Sequence, residues 1–161
     1  MFDRFGEFDS AAEINELAVN LRREGDTESI KVLARENGID EDIAEAFLEG
    51  DLLFLCDHMA AAIGKIEIES KELKPVEIME DWVEYLKARC FEDEEMAKAV
   101  RKKGRNLKGA IGALLTWSFK NQIPVDKDIV TAAGVKAGRC TLGIPGMARA
   151  KQLMSQYYLG K

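Results

Sequence analysis

The sequence predicts an all-α protein, a compact array of short and medium helices. Three observations carry that expectation. Apolar residues recur every three or four positions along most of the chain. Cap residues and glycines punctuate them at helix-length intervals. The one stretch with a period of two is "KIEIES", residues 65–70, which fits a small extended segment or a helix continuing to Leu73.

The elements follow in order. Ser10 with Glu13 forms a capping box, and Ile14, Leu17, Ala18 and Leu21 then line one helix face until Gly25. Thr27 caps a second helix with Ile30, Leu33 and Ala34, ending at Asn37-Gly38. Asp40 opens a third, with Ile43, Ala46 and Phe47, ending near Gly50. Asp51 caps a more apolar fourth segment through Leu52, Leu55, Cys56, Met59 and Ile63, weakened at Gly64. Lys74-Pro75 signals a fifth start, with Val76, Met79, Trp82, Val83, Leu86 and Cys90 as its inner stripe. A sixth follows the acidic run Glu92–Glu95, carries Met96, Ala99 and Val100, and stops at Gly104. Asn106 caps a seventh, with Leu107, Ala110, Ile111, Leu114, Leu115 and Ser118 on one side, broken at Ile123-Pro124. A short helix from Asp126 to Ala133, a glycine-rich loop over 138–146 and a basic helix through Tyr158 complete the chain.

A length of 161 residues fits one domain, and a soft boundary lies near Leu73–Pro75. Residues 1–73 read as an acidic helical array. Residues 74–161 read as a helical part with a basic surface, either continuous with the first or a second tightly packed subdomain. The composition, 47 % hydrophobic and 32 % charged, is that of a globular chain, not a disordered one. No apolar run approaches the roughly 20 residues that span a bilayer, so no membrane is expected as partner. The start, "MFDRFGEFDS", does not read as a secretory signal. Three widely spaced cysteines, Cys56, Cys90 and Cys140, point to reduced thiols in a cytoplasm.

The net charge of −6 hides a division. Residues 1–97 hold 10 Lys+Arg and 27 Asp+Glu, a net −17; residues 98–161 hold 13 and 2, a net +11. Such asymmetry points to nucleic acid or a charged protein partner, unless the halves neutralise each other.

Catalytic patterns are weak. His58 is the single histidine, and it and Cys56 lie two residues apart, which on a helix do not face each other. No zinc motif, P-loop or dinucleotide fingerprint occurs, so no catalytic residue, metal ligand or cofactor is expected. Ile30–Gly50 has the rhythm of a helix-turn-helix, but its second helix carries Glu41, Asp42, Glu45 and Glu49 and no cation, and DNA would repel it. Asp126–Met154 is a second such candidate, with Lys136, Arg139, Arg149 and Lys151 and a long connector. A third possibility makes the acidic face itself the working surface. Glu92, Asp93, Glu94 and Glu95, with Glu41, Asp42, Glu45 and Glu49, would form a rod of negative charge for a basic groove built to hold nucleic acid. Self-repulsion on that scale costs stability, and nothing in folding requires it.

The stretch Phe91–Val125, "FEDEEMAKAVRKKGRNLKGAIGALLTWSFKNQIPV", resembles the PcfK-like proteins of conjugative elements and the related anti-CRISPR inhibitors of type II nucleases. Those share an acidic-hydrophobic lead, a basic stretch with a Leu-Lys-Gly helix start, and a helix. Ala110 stands where a cysteine is often found in that group. The resemblance implies a non-enzymatic protein of a phage or mobile element. It would inhibit a bacterial CRISPR effector nuclease by binding it, or its nucleic-acid complex. The alternative is an accessory protein that binds DNA or RNA backbone through residues 98–161 alone. The basic candidates are Lys102, Lys103, Arg105, Lys108, Arg139, Arg149 and Lys151. Lys103, Arg105 and Lys108 crowd a helix N-terminus, where the macrodipole is already positive and an anion would be welcome. That anion could also be the chain's own acidic half, or that of a second copy in a homodimer.

Overall fold

A computed structural model of the chain describes residues 2–161. Its helices are α1 (Ala11–Glu24), α2 (Thr27–Glu36), α3 (Glu41–Glu49), α4 (His58–Leu73), α5 (Ile78–Glu92), α6 (Glu94–Arg101), α7 (Leu107–Lys120), α8 (Lys127–Ala132) and α9 (Met147–Leu159). The only sheet among the described residues pairs β1 (Ile123–Pro124) with β2 (Thr141–Leu142), antiparallel. The expected all-α array is therefore the fold.

Most boundaries fall where cap chemistry puts them. Ser10 Oγ accepts the Glu13 N–H at 3.2 Å, and the Glu13 carboxylate reaches back to the Asp9 N–H at 2.7 Å. Asn106 Oδ1 accepts the Gly109 N–H at 2.8 Å and starts α7. Gly25 and Gly50 close α1 and α3 in the left-handed conformation.

Of the two forms open to residues 65–70, the helix continuing to Leu73 is the one found, not the extended segment: they lie inside α4, both faces of which are covered, so the alternation marks no exposed side. Other expectations change. The cap of α2 is Asp26, not Thr27, and the cap of α4 is Asp57, not Asp51. Each of these carboxylates accepts an N–H three residues on, while Asp51 to Cys56 form an irregular crossing segment. Lys74-Pro75 does not open α5 directly: Lys74 and Glu77 both take positive φ, and the helix begins at Ile78. Ile43, Val76 and Leu115 are exposed; the inner face of α3 is Ala44 and Phe47.

Two apolar clusters form the interior. The first joins α1, α2 and α3 to the start of α4 through Ile14, Ile30, Leu33 and Phe47. The second joins the rest of α4 to α5, α6, α7 and α9 through Ile66, Leu86, Met96, Leu114 and Met154. They meet within α4, at Ala61 and Ala62, so one helix carries both. The Leu73–Pro75 turn lies beyond that junction. Where α4 crosses the α2–α3 turn, Gly64 meets Gly38 backbone to backbone.

Buried charges tie the clusters together. Lys65 of α4 is fully buried and uses all three ammonium donors. They go to Glu7 Oε1 at 2.6 Å, the Lys102 carbonyl at 2.9 Å and the Arg105 carbonyl. Arg101, 1 % exposed, donates from Nε to the Phe8 carbonyl and from Nη2 to Asn37 Oδ1. The N-terminal segment is thereby strapped across α4 and α6, with Glu36 holding the Arg4 and Phe5 N–H groups.

Candidate functional site

The turn joining α6 to α7 carries the densest run of cations, residues 101–108. Its shape follows from Lys65, which collects two of its carbonyls, and from Glu69, whose Oε2 accepts the Leu107 N–H at 2.7 Å. That carboxylate satisfies a free N–H at the start of α7 and faces the positive end of the helix. Burial pushes the Glu69 carboxyl above its ordinary value of 4.5; the Leu107 hydrogen bond and nearby Lys65 pull it back in part.

A raised carboxyl has a defined consequence. The folded state holds the Glu69 proton to higher pH than the unfolded chain. Its contribution to stability is full below pH 4.5 and is lost as pH rises through the folded value. Glu69→Gln keeps an oxygen for Leu107 and removes the titration. Urea unfolding at a series of pH values should therefore show wild type gaining on Glu69→Gln as pH falls from 7 toward 4.5. Parallel profiles for the two proteins would rule this out.

The basic candidates divide. Arg105 lies over the Tyr157 ring at 5.6 Å and donates from Nη1 to the Tyr157 carbonyl. It braces α9 against the turn. Arg149 lies 5.8 Å over Trp117 and Lys151 5.1 Å over Tyr85, both at the surface. Lys102, Lys103, Lys108 and Arg139 face solvent, and none forms an ion pair among the described residues. Lys108 borders a small hollow with Glu7, Glu69 and Glu72. Lys103 engages the acidic half through its backbone, donating its N–H to Asp9 Oδ1 at 3.1 Å.

The acidic candidates are more occupied. Asp93 caps α6 and pairs with Arg89 at 2.8 Å. Glu94 pairs with Lys98 at 2.5 Å and approaches His58 Nε2 at 3.8 Å. Glu95 pairs with Lys161 at 3.0 Å. Glu92 is exposed at the end of α5. Of the α3 acids, Glu41 and Glu45 lie 3.9 Å and 3.6 Å from Lys31 of α2, while Asp42 and Glu49 face solvent. Two ion pairs among the described residues join a cation of 98–161 to an acid of 1–97: Lys98–Glu94 and Lys161–Glu95.

One feature escaped sequence reasoning. Residues 120–146 form an arm that leaves the helical body at the end of α7. The β1–β2 pair closes it, and Val125 N–H donates to the Cys140 carbonyl at 2.9 Å. Gly143 packs so closely on Gln122 and the Ser118 carbonyl that a Cβ would not fit. No residue of α8 is buried. Phe119 is 76 % exposed, and Ile123, Ile129, Leu142 and Ile144 stand out beside it. Lys120, Lys127, Lys136 and Arg139 are interspersed with them. A short helix over Asp126–Ala133 was legible, but its lack of a partner helix was not.

Cys56 and Cys90 are buried free thiols pushed up to about 12 by burial, which removes them as nucleophiles at neutral pH. Among the described residues no His, Cys, Asp or Glu cluster is arranged to hold a metal ion. None of the described helices is long and apolar enough to cross a membrane. The fold and surface together define an all-α helical protein whose residues 98–161 carry exposed cations and an exposed apolar arm. Comparison with known families, characterised proteins and solved structures finds no match to this chain.

Proposed function

We propose that this chain is a non-enzymatic binding protein of a phage or mobile element that blocks a bacterial CRISPR effector nuclease. In this reading the basic C-terminal part, rather than the acidic helices, meets the nucleic acid of the complex. The observation that carries it is the set of exposed cations without ion-pair partners, Lys103 and Lys108 around the start of α7 and Arg139 on the exposed apolar arm beyond its end. Cations free of ion pairs are available to phosphates. Exposed rings such as Phe119 offer a face on which bases stack. The acids of Glu92–Glu95 are largely engaged in capping and pairing, which favours the basic face over the acidic rod. The partner class comes from the resemblance of Phe91–Val125 alone.

The test is cleavage by a guide-loaded type II nuclease with wild type and with K103E/K108E/R139E. Inhibition by wild type, weakened at least ten-fold in the variant, is the expected result. Loss of inhibition on reversing Glu41, Glu45 and Glu49 instead would move the activity to the acidic face. No effect of wild type on any such nuclease would sink the reading. A gel shift of free DNA or RNA, with a salt slope reduced by about one per lysine replaced, would favour a nucleic-acid-binding accessory protein.

A further inference from the structure

We infer that the groove between α1 and the crossing segment before α4 receives the apolar arm of a second copy of this chain. The groove holds about 940 Å³, and Val19, Leu52, Leu53 and Phe54 line it. Leu53 is 75 % exposed and Phe54 63 %. The backbone that carries this pair is pinned on both sides. Arg22 Nη1 donates to the Phe47 carbonyl at 2.8 Å and to the Leu52 carbonyl at 3.2 Å. Asn15 Oδ1 accepts the Leu55 and Cys56 N–H groups, and its Nδ2 donates to the Cys56 carbonyl at 2.7 Å. These side chains satisfy backbone groups that no helix or strand satisfies. Leu53 and Phe54 therefore stand on an ordered frame before anything binds, which lowers the ordering cost of a contact.

Charge and shape of surface select the occupant. Glu16, Asp51 and Asp57 line the groove against Arg23, so it favours a cationic guest. The arm, residues 120–146, carries Lys120, Lys127, Lys136 and Arg139 against Asp126 and Asp128. Ile123, Ile129, Leu142 and Ile144 are exposed along it, and so much uncovered apolar surface marks a contact. These four are aliphatic. An apolar groove gains from burying them, whereas nucleic acid stacks on rings. Within one copy the two surfaces do not neutralise each other. The ion pairs that join the acidic and basic halves among the described residues, Lys98–Glu94 and Lys161–Glu95, involve neither arm nor groove. A second copy supplies the missing counterpart to each. Arm and groove are different surfaces of the chain, so two copies close into a dimer when each seats its arm in the other. The inference does not rest on the proposed function, in which the groove takes no part.

The test places a nitroxide on Cys140 of the arm, the thiol left accessible because Cys56 and Cys90 are buried. Labelled chain at natural isotope abundance is mixed with unlabelled, isotope-enriched chain, so that line broadening reports contacts between copies alone. The expected result is broadening of the Glu16, Leu53 and Phe54 amide signals. Sedimentation equilibrium of the full chain should show self-association, at least ten-fold weaker in L53D/F54D and in I129D. All three side chains are exposed, so the variants keep their fold, and unchanged amide signals away from the substitutions verify it. A chain that stays monomeric up to millimolar concentration would overturn the inference. Broadening confined to the arm would overturn it too, by showing an arm-to-arm contact. So would L53D/F54D associating as tightly as wild type. These variants retain Lys103, Lys108 and Arg139, so the nuclease reading stands or falls separately.

Discussion

Gly64→Ala is expected to destabilise the protein by about 3 kcal/mol or more, the upper end of overpacking costs. An alanine Cβ at this position would lie 2.1 Å from the Asn37 carbonyl oxygen and 3.0 Å from that of Gly38. Both are backbone atoms. Neither can swing aside as a side-chain tip would, so the helix and the turn must separate. Against this stands the gain from replacing a helical glycine, about 1 kcal/mol. The steric term wins because separation also opens the junction of the two apolar clusters, which lies two residues away at Ala62. Gly112→Ala is the matched control. It sits in α7 with nothing within 4 Å of the added methyl, so only the propensity gain remains, about 0.5–1 kcal/mol of stabilisation. Urea denaturation of the two variants beside wild type checks both signs. A Gly64→Ala midpoint at or above that of wild type would show that the crossing is not held at this contact.

The same glycine marks the limit of what could be read from the chain. Periodicity and caps placed most of the helices, because each depends on residues within a turn of one another: Ser10 with Glu13, Asn106 with Gly109. Gly64 reads in sequence as a weak point in a helix. Its role is a contact with Gly38, 26 residues away, and no local pattern carries that. Charge misled in a similar way. Arg101 reads as a helix-end cation, and Lys65 as a polar position in an alternating stretch. Both are buried, and buried lysine and arginine are rare enough that exposure is the default reading. The partners that make burial tolerable are carbonyls and an N-terminal glutamate, groups common to every sequence. The candidate surface was legible as composition, with cations gathered in 98–161. Which of them face solvent unpaired, and that the segment after α7 stays an exposed apolar arm, depends on packing.

Lys65→Ala carries the other large effect, an expected loss of about 3–5 kcal/mol, as for breaking a buried ion pair from one side. The ammonium is the common donor for three groups that have no other reason to meet. Glu7 belongs to the N-terminal strap, and the carbonyls of Lys102 and Arg105 belong to the α6–α7 turn. Removing it leaves a carboxylate and two carbonyls facing a void, each losing its partner at a cost. Glu7→Gln should cost much less, no more than half as much. The amide oxygen still accepts from Lys65, the two carbonyls keep their donor, and the Glu7 side chain is partly solvated. This asymmetry separates a structural tripod from a simple salt bridge, in which the two changes would be nearly equal. Thermal unfolding reads it directly: a loss of roughly 10 °C for Lys65→Ala against a few degrees for Glu7→Gln, at about 2–4 °C per kcal/mol for a chain of this size. Equal losses would reduce Lys65 to one half of a pair. A stable Lys65→Ala would mean that the turn bearing the cations is held by Glu69 and Leu107 alone.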